Sequence, residues 1–246
     1  MKYRIAKTFL TGIVAMLLTA GPAMAQKKGI FKTILDKATG ASSGKDSLSN
    51  GDIVSGLKEA LNVGTQNSTG KLSIADGFLK DAAVKILLPA EVQKVEKTLR
   101  TFGMGKLADN AILSLNRAAE DASKKAAPIF LSAIKNMNIS DALGILKGGD
   151  TSATSYLKKT TGTLLTAAFK PVIDSSLIKT DATKYWKDMF TTYNKFSSKK
   201  VETDLSAYVT QKAMDGIFYY VALEEKNIRK NPVGYASDIL KKVFGK

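Results

Sequence analysis

"KLADNAILSLNRAAEDASKK", residues 106–125, decides the fold class. Ala108, Ala111, Leu115, Ala118, Ala119 and Ala122 recur three or four apart, the spacing of one helix face. Alanine is the best helix former, and its small side chain lets a neighbouring helix come close. The flanks are polar. Asn116 and Glu120 lie four apart on one side, and Arg117 and Asp121 on the other, where an i,i+4 ion pair is expected. A helix of this kind packs among other helices, and its polar cluster either ties them together or faces a ligand.

Outward from there the pattern stays helical. Ile53, Leu57, Ala60, Leu61 and Gly64 make one stripe, and "IADGFLKDAA" (74–83) suggests a short second helix. "VKILLP" reads as a brief extended piece, because Leu88 precedes a proline and is pushed out of the α region. Pro89 then fits the first position of a helix to about Phe102, which Gly103 and Gly105 end. Pro128 kinks or restarts the long helix, and Ser140 suits the N-cap of "DALGILK". Asp150 or Thr151 caps the next helix, which Pro171 bounds. Asp181 caps one carrying Tyr185, Trp186, Met189, Phe190 and Tyr193. A long helix runs from Thr203 or Asp204 to about Lys230, and a last one takes "YASDILKKVF". No period-2 pattern of useful length and no fixed repeat interrupts the series. The expected class is all-α: a multi-helix single-domain bundle, with at most one short extended segment near 84–88.

The first 25 residues read as a secretory signal peptide. Lys2, Arg4 and Lys7 precede an apolar run from Phe9 to Ala20, and Ala23-Met24-Ala25 makes a small-x-small cleavage pattern. The run is shorter than the roughly 20 residues a spanning helix needs. The expected product is a soluble periplasmic or secreted protein. Residues 26–52 form an arm, "QKKGIFKTILDK", and a Gly/Ser-rich linker, and 53–246 form the helical domain.

Composition removes whole classes of chemistry. There is no cysteine and no histidine. That leaves no Ser-His-Asp triad, no Cys-His pair and no imidazole metal ligand. Acid and base chemistry falls to Asp, Glu, Lys or Tyr, and a metal would be a hard, oxygen-bound ion. No calcium loop and no phosphate-binding loop is present. Gly103-Met104-Gly105-Lys106 lacks the spacing of a nucleotide loop, and "GGDTSATSY" (148–156) reads as a turn and N-cap rather than an anion cradle. No cofactor and no metal are expected. The net charge of +15 falls to +12 without Lys2, Arg4 and Lys7. A basic exported protein is drawn to anionic lipid, acidic glycans or acidic partners. Only four of the 37 basic residues are arginine, which argues against nucleic acid, where arginine forks read phosphate and bases.

Those arginines are informative. Arg117 sits by Glu120 and Asp121, and Arg229 by Glu225, at i,i+4, on the long C-terminal helix. A planar, permanently charged fork placed beside carboxylates suggests a shared polar centre. The candidate ligand-binding residues are Asn116, Arg117, Glu120, Tyr208, Lys212, Glu224, Glu225 and Arg229. On the C-terminal helix Leu205, Val209, Ala213, Gly216, Ile217 and Tyr220 face inward, with Lys212 and Glu224 at the margins.

"GLKEAL", "DGFLKDAAVKILLP", "LNRAAEDA", "PIFLSAI", "GGDTSATSYLKKTT" and "YVTQKAMDGIFYYVALEEKNIRKNP…ILKKVFG" occur in that order. Together they resemble the bacterial domain-of-unknown-function 4197 family, over about Leu48 to Phe244. The resemblance implies a helical, exported protein and brings no catalytic residues with it.

The leading expectation is a non-enzymatic binding module holding an apolar or amphipathic molecule, or an envelope partner, between helices. The first alternative is an envelope hydrolase using Glu120, Glu224 or Glu225. The second is a structural or assembly factor acting through the 26–37 arm.

Overall fold

Ser49 opens the first helix, α1 (Asn50–Leu72), with a capping box. Its hydroxyl accepts the Asp52 N–H, and the Asp52 carboxylate accepts the Ser49 N–H, each at 3.1 Å. The helix thus starts three residues before the apolar stripe and takes in the end of the expected linker. It also runs two turns past Gly64. Buried Ser68 and Thr69 return their hydroxyls to the carbonyls of Gly64 and Thr65, at 2.7 and 2.8 Å, so these polar residues enter the core satisfied. The structure is a computed structural model describing residues 49–103, 105–180 and 204–231, with 182, 183 and 186.

A 3₁₀ turn (Ala90–Val92) leads into α2 (Gln93–Thr101). The bundle continues with α3 (Gly105–Ser123), α4 (Ala126–Lys135), α5 (Ile139–Lys147), α6 (Ser152–Ile178) and α7 (Leu205–Lys230). Among the described residues there is no strand, and the protein is an all-α single domain. Helices α6 and α7 form the most extensive pair. α3 packs on both, and α1 closes the other side against α4 and α7. Phe78, Phe130, Leu115, Leu157, Leu165, Phe169 and Ile217 lie in the core without solvent exposure.

Four expectations are corrected. Residues 74–83 make no helix but a run of turns. Asp76 takes a left-handed φ of 69°, and a Cβ on Gly77 would lie 2.5 Å from the Lys71 carbonyl oxygen, closer than any side chain tolerates. Pro89 sits at the N-cap of the 3₁₀ turn rather than inside a helix. α5 is capped by Asn138, not Ser140, because Asn138 and Asp141 satisfy each other's backbone N–H groups. Pro128 restarts the helix as expected, falling within the first turn of α4 after the break at 124–125. Pro171 bounds nothing: it lies inside α6, with its ring exposed. Leu165, Phe169, Ile173 and Leu177 run straight past it at four-residue steps, each wholly buried, and hold the helix through the missing N–H.

The C-terminal helix follows its reading. Asp204 caps it by accepting the Ala207 N–H at 3.0 Å, and the whole expected inward stripe is buried. Residues 182, 183 and 186 are helical, and Trp186 is buried. The arm, the leader, the rest of the 181–193 helix and the last helix lie outside the described residues. Among those described, no helix is long and apolar enough to cross a membrane.

Candidate functional site

The polar face of α3 holds the irregular segment between α1 and α2. Buried Asn116 accepts the Ile86 N–H and donates to the Ile86 carbonyl, both at 2.8 Å, and gives its other N–H to Ile112 at 2.7 Å. The amide bonds Ile86 as a neighbouring strand would. One turn on, buried Glu120 accepts the N–H groups of Phe78 and Leu79, at 3.1 and 3.2 Å, through one oxygen. Its other oxygen takes Arg117 at 2.6 Å, and Arg117 reaches across to Asp76 at 2.7 Å. The expected Arg117–Asp121 pair does not form. The Arg117 fork is drawn to the segment beside it, and Asp121 binds Lys124 at 2.8 Å instead. Hydrogen bonds from Lys80 and then Arg117 hold the Asp76 carboxyl below its ordinary range.

The same segment is tied from α1 and α7. Lys71 reaches the Tyr220 hydroxyl at 2.6 Å and the Asp81 carboxylate at 3.0 Å, and lies 4.0 Å from the Tyr220 ring centre. Tyr220 donates to Asp81. Burial, reinforced by the bond to Asp81, raises the Tyr220 hydroxyl above its usual value. Burial alone would raise Asp81, but the bonds from Tyr220 and Lys71 outweigh it and lower the carboxyl. Phe78 packs so closely on α7 that a Cβ on Gly216 would lie 2.6 Å from its ring.

The second arginine makes a separate centre. Buried Glu225 accepts the N–H groups of Ala153 and Thr154, at 2.9 and 2.8 Å, and the Thr154 hydroxyl at 2.7 Å. Thr151, the N-cap of α6, contributes no side-chain bond. The "GGDT" turn therefore does deliver an anion to a helix N-terminus, but the anion is the protein's own. Arg229 binds Glu225 at 2.7 Å and the Ile145 carbonyl, in the last turn of α5, at 3.1 Å. The pair lies across the α5–α6 turn, with carboxylate to the starting helix and guanidinium to the ending one, as both helix dipoles favour.

The eight candidate residues are thus dispersed rather than gathered in one centre. Glu224 is half-buried and accepts from Asn67 at 3.3 Å. Tyr208 is half-buried, donates to the Leu87 carbonyl at 2.7 Å and stacks on Trp186 at 6.0 Å. Lys212 is exposed, not marginal, with its ammonium 5.9 Å from the Tyr208 ring centre. Only these last two line a groove, of about 380 Å³, beside Ile86, Leu87 and Tyr219.

A more enclosed apolar space lies elsewhere among the described residues. A cavity of about 540 Å³ opens between the start of α2, the first half of α3 and the start of α7. Leu107, Ala108, Ala111 and Leu115 wall it from α3, Leu88 and Val92 from below, and Trp186 and Leu205 opposite. Glu96, Asn110, Ser114 and Thr180 are its polar lining. The small side chains of Ala108 and Ala111 border this space.

A family model described as a protein of unknown function (DUF4197) matches residues 47–245. The chain belongs to the DUF4197 family. No curated protein and no solved structure matches it. The partners of this DUF4197 chain's polar residues carried no sequence signal of their own. Asp76, Asp81, Ile86 and Thr154 are distant in sequence from the groups that bind them, and three of the acceptors or donors are backbone. The nearest readable hint was "DGF", where a glycine between a turn-former and an aromatic marks a tight approach. Among the described residues no group of three acidic side chains is placed to hold a metal.

Proposed function

We propose that this DUF4197 protein is an exported, non-enzymatic module that holds an apolar or amphipathic molecule between its helices. One observation carries the reading. The cavity beside Ala108, Ala111 and Trp186 is apolar on most of its wall, with four polar groups along it. Its volume falls inside the roughly 300–1,000 Å³ of ordinary ligand sites, and such composition is their usual one. The clamp of Asn116 on Ile86 supports it indirectly, because it fixes the backbone two residues before Leu88 on the cavity wall.

The glutamate hydrolase has less in its favour. Glu120 and Glu225 spend their oxygens on backbone N–H groups and arginines, and a glycosidase pair needs two open carboxylates about 5–9.5 Å apart. The arm of the assembly-factor alternative lies outside the described residues.

Native mass spectrometry of protein purified from the cell envelope tests the proposal. A co-purified molecule of a few hundred daltons, lost from an Ala111→Phe variant that stays folded, is the expected result. Repeated recovery of an empty chain counts against it.

A further inference from the structure

The surface charge points to anionic ligands, but the cavity points the other way. Glu96 lines it, and no lysine or arginine does among the described residues. Arg100, one turn on from Glu96 along α2, is already claimed twice. Its guanidinium binds Glu96 at 2.9 Å and Asp109 at 2.6 Å, so its one positive charge is shared between two carboxylates, with Lys85 adding a weaker attraction at Asp109. Both Arg100 bonds to Glu96 fall on one oxygen, Oε1. The second oxygen has no partner among the described residues, although the side chain is only 21% exposed. A carboxylate oxygen in that position accepts a hydrogen bond and repels a second anion. Asn110 adds an amide, and the Ser114 and Thr180 hydroxyls already bond carbonyls of their own helices.

We infer that the cavity takes a single-chain amphiphile whose head is a hydrogen-bond donor without negative charge, an alcohol or an ammonium, with the tail among Leu88, Val92, Ala111, Leu115 and Trp186. The inference rests on the binding-module reading above and narrows it. Fatty carboxylates and phosphate-headed chains are disfavoured at this site, whatever the outer surface attracts. Specificity of this kind comes from a charge set against the wrong head group rather than from extra contacts to the right one.

Trp186, the only tryptophan of the chain, lines the cavity and reports on it. Decan-1-ol, decylamine and decanoate share a tail and differ at the head. Each is titrated into the full exported protein, below its micelle concentration at neutral pH, while Trp186 fluorescence is followed. The expected result is saturable binding of the alcohol and the amine, with decanoate at least about tenfold weaker, ~1.4 kcal/mol. In Glu96→Gln the decanoate penalty should shrink by at least about threefold. Decanoate binding as tightly as decanol overturns the inference and leaves the binding module standing. A penalty unchanged in Glu96→Gln, with the fold intact by circular dichroism, removes Glu96 from it. No response to any of the three overturns the inference and the reading together.

Discussion

Glu225 takes both the backbone N–H and the hydroxyl of Thr154, at 2.8 and 2.7 Å, from 71 residues further along the chain. A carboxylate from near the C-terminal end of α7 thereby does what an N-cap side chain ordinarily does for α6. Because Glu225 and Arg229 are both largely buried, removing either takes from the other its opposite charge. Glu225→Ala should cost about 3–5 kcal/mol in urea denaturation. Thr154→Val should cost ~1 kcal/mol, the scale of one hydrogen bond. The double variant Glu225→Ala/Arg229→Ala should lose less than the two single changes added together, since no unpaired charge remains.

Asn116 is a separate case because its two faces are used in opposite senses. It accepts from one group of Ile86 and donates to another. Asn116→Asp keeps the shape but turns the donor side into an acceptor facing two carbonyls. It should cost more than Asn116→Ala, which leaves buried groups unpaired at roughly 1–3 kcal/mol. Amide exchange at Ile86 should accelerate in both.

Two glycines should differ in kind. Gly216→Ala drives a methyl into the Phe78 ring, a side chain that can shift, and overpacking of that sort costs about 1–3 kcal/mol. Phe78→Leu in the same chain should recover part of the loss. Gly77→Ala meets backbone carbonyl oxygens instead and should not be rescued by any side-chain change. Thermal melts of the three variants separate the two outcomes.

Stability should be flat through the middle of the pH range and fall at both ends. Asp76 and Asp81 have lowered folded values, so their contribution is present above the ordinary carboxyl value of 3.8 and is lost as pH falls through the lower, folded one. Tyr220 and Lys71 have raised folded values. Their contribution is complete below 10.0 and 10.5 and is lost as pH rises through the folded ones. Tyr220→Phe should therefore be less stable at neutral pH yet show a shallower alkaline decline, measured as urea midpoint between about pH 8 and 11.5.

Filling the cavity separates binding from stability. Ala111 is half-buried at its wall, so Ala111→Phe has space to enter. Folding stability should change by less than about 1.5 kcal/mol, the range of tolerated core swaps, while decan-1-ol binding is lost.

The sequence by itself determined the all-α class and nearly every helix whose apolar stripe was unbroken. The stripes of α3 and α7, the Asp204 cap and the Glu225–Arg229 pair depend on residues three or four apart, and that spacing is local. It failed where another part of the chain set the local geometry. Residues 74–83 had the composition of a helix, but Glu120 captures the N–H groups of Phe78 and Leu79 that a helix would have used. Pro171 had the look of a boundary, but the core side chains around it were worth more than one lost hydrogen bond. Arg117 chose Asp76 and Glu120 over Asp121 because only the folded chain brings Asp76 within reach. The cavity beside Trp186 belongs to the tertiary structure alone. A void is made by what several segments leave unfilled, and no single stretch of sequence records it.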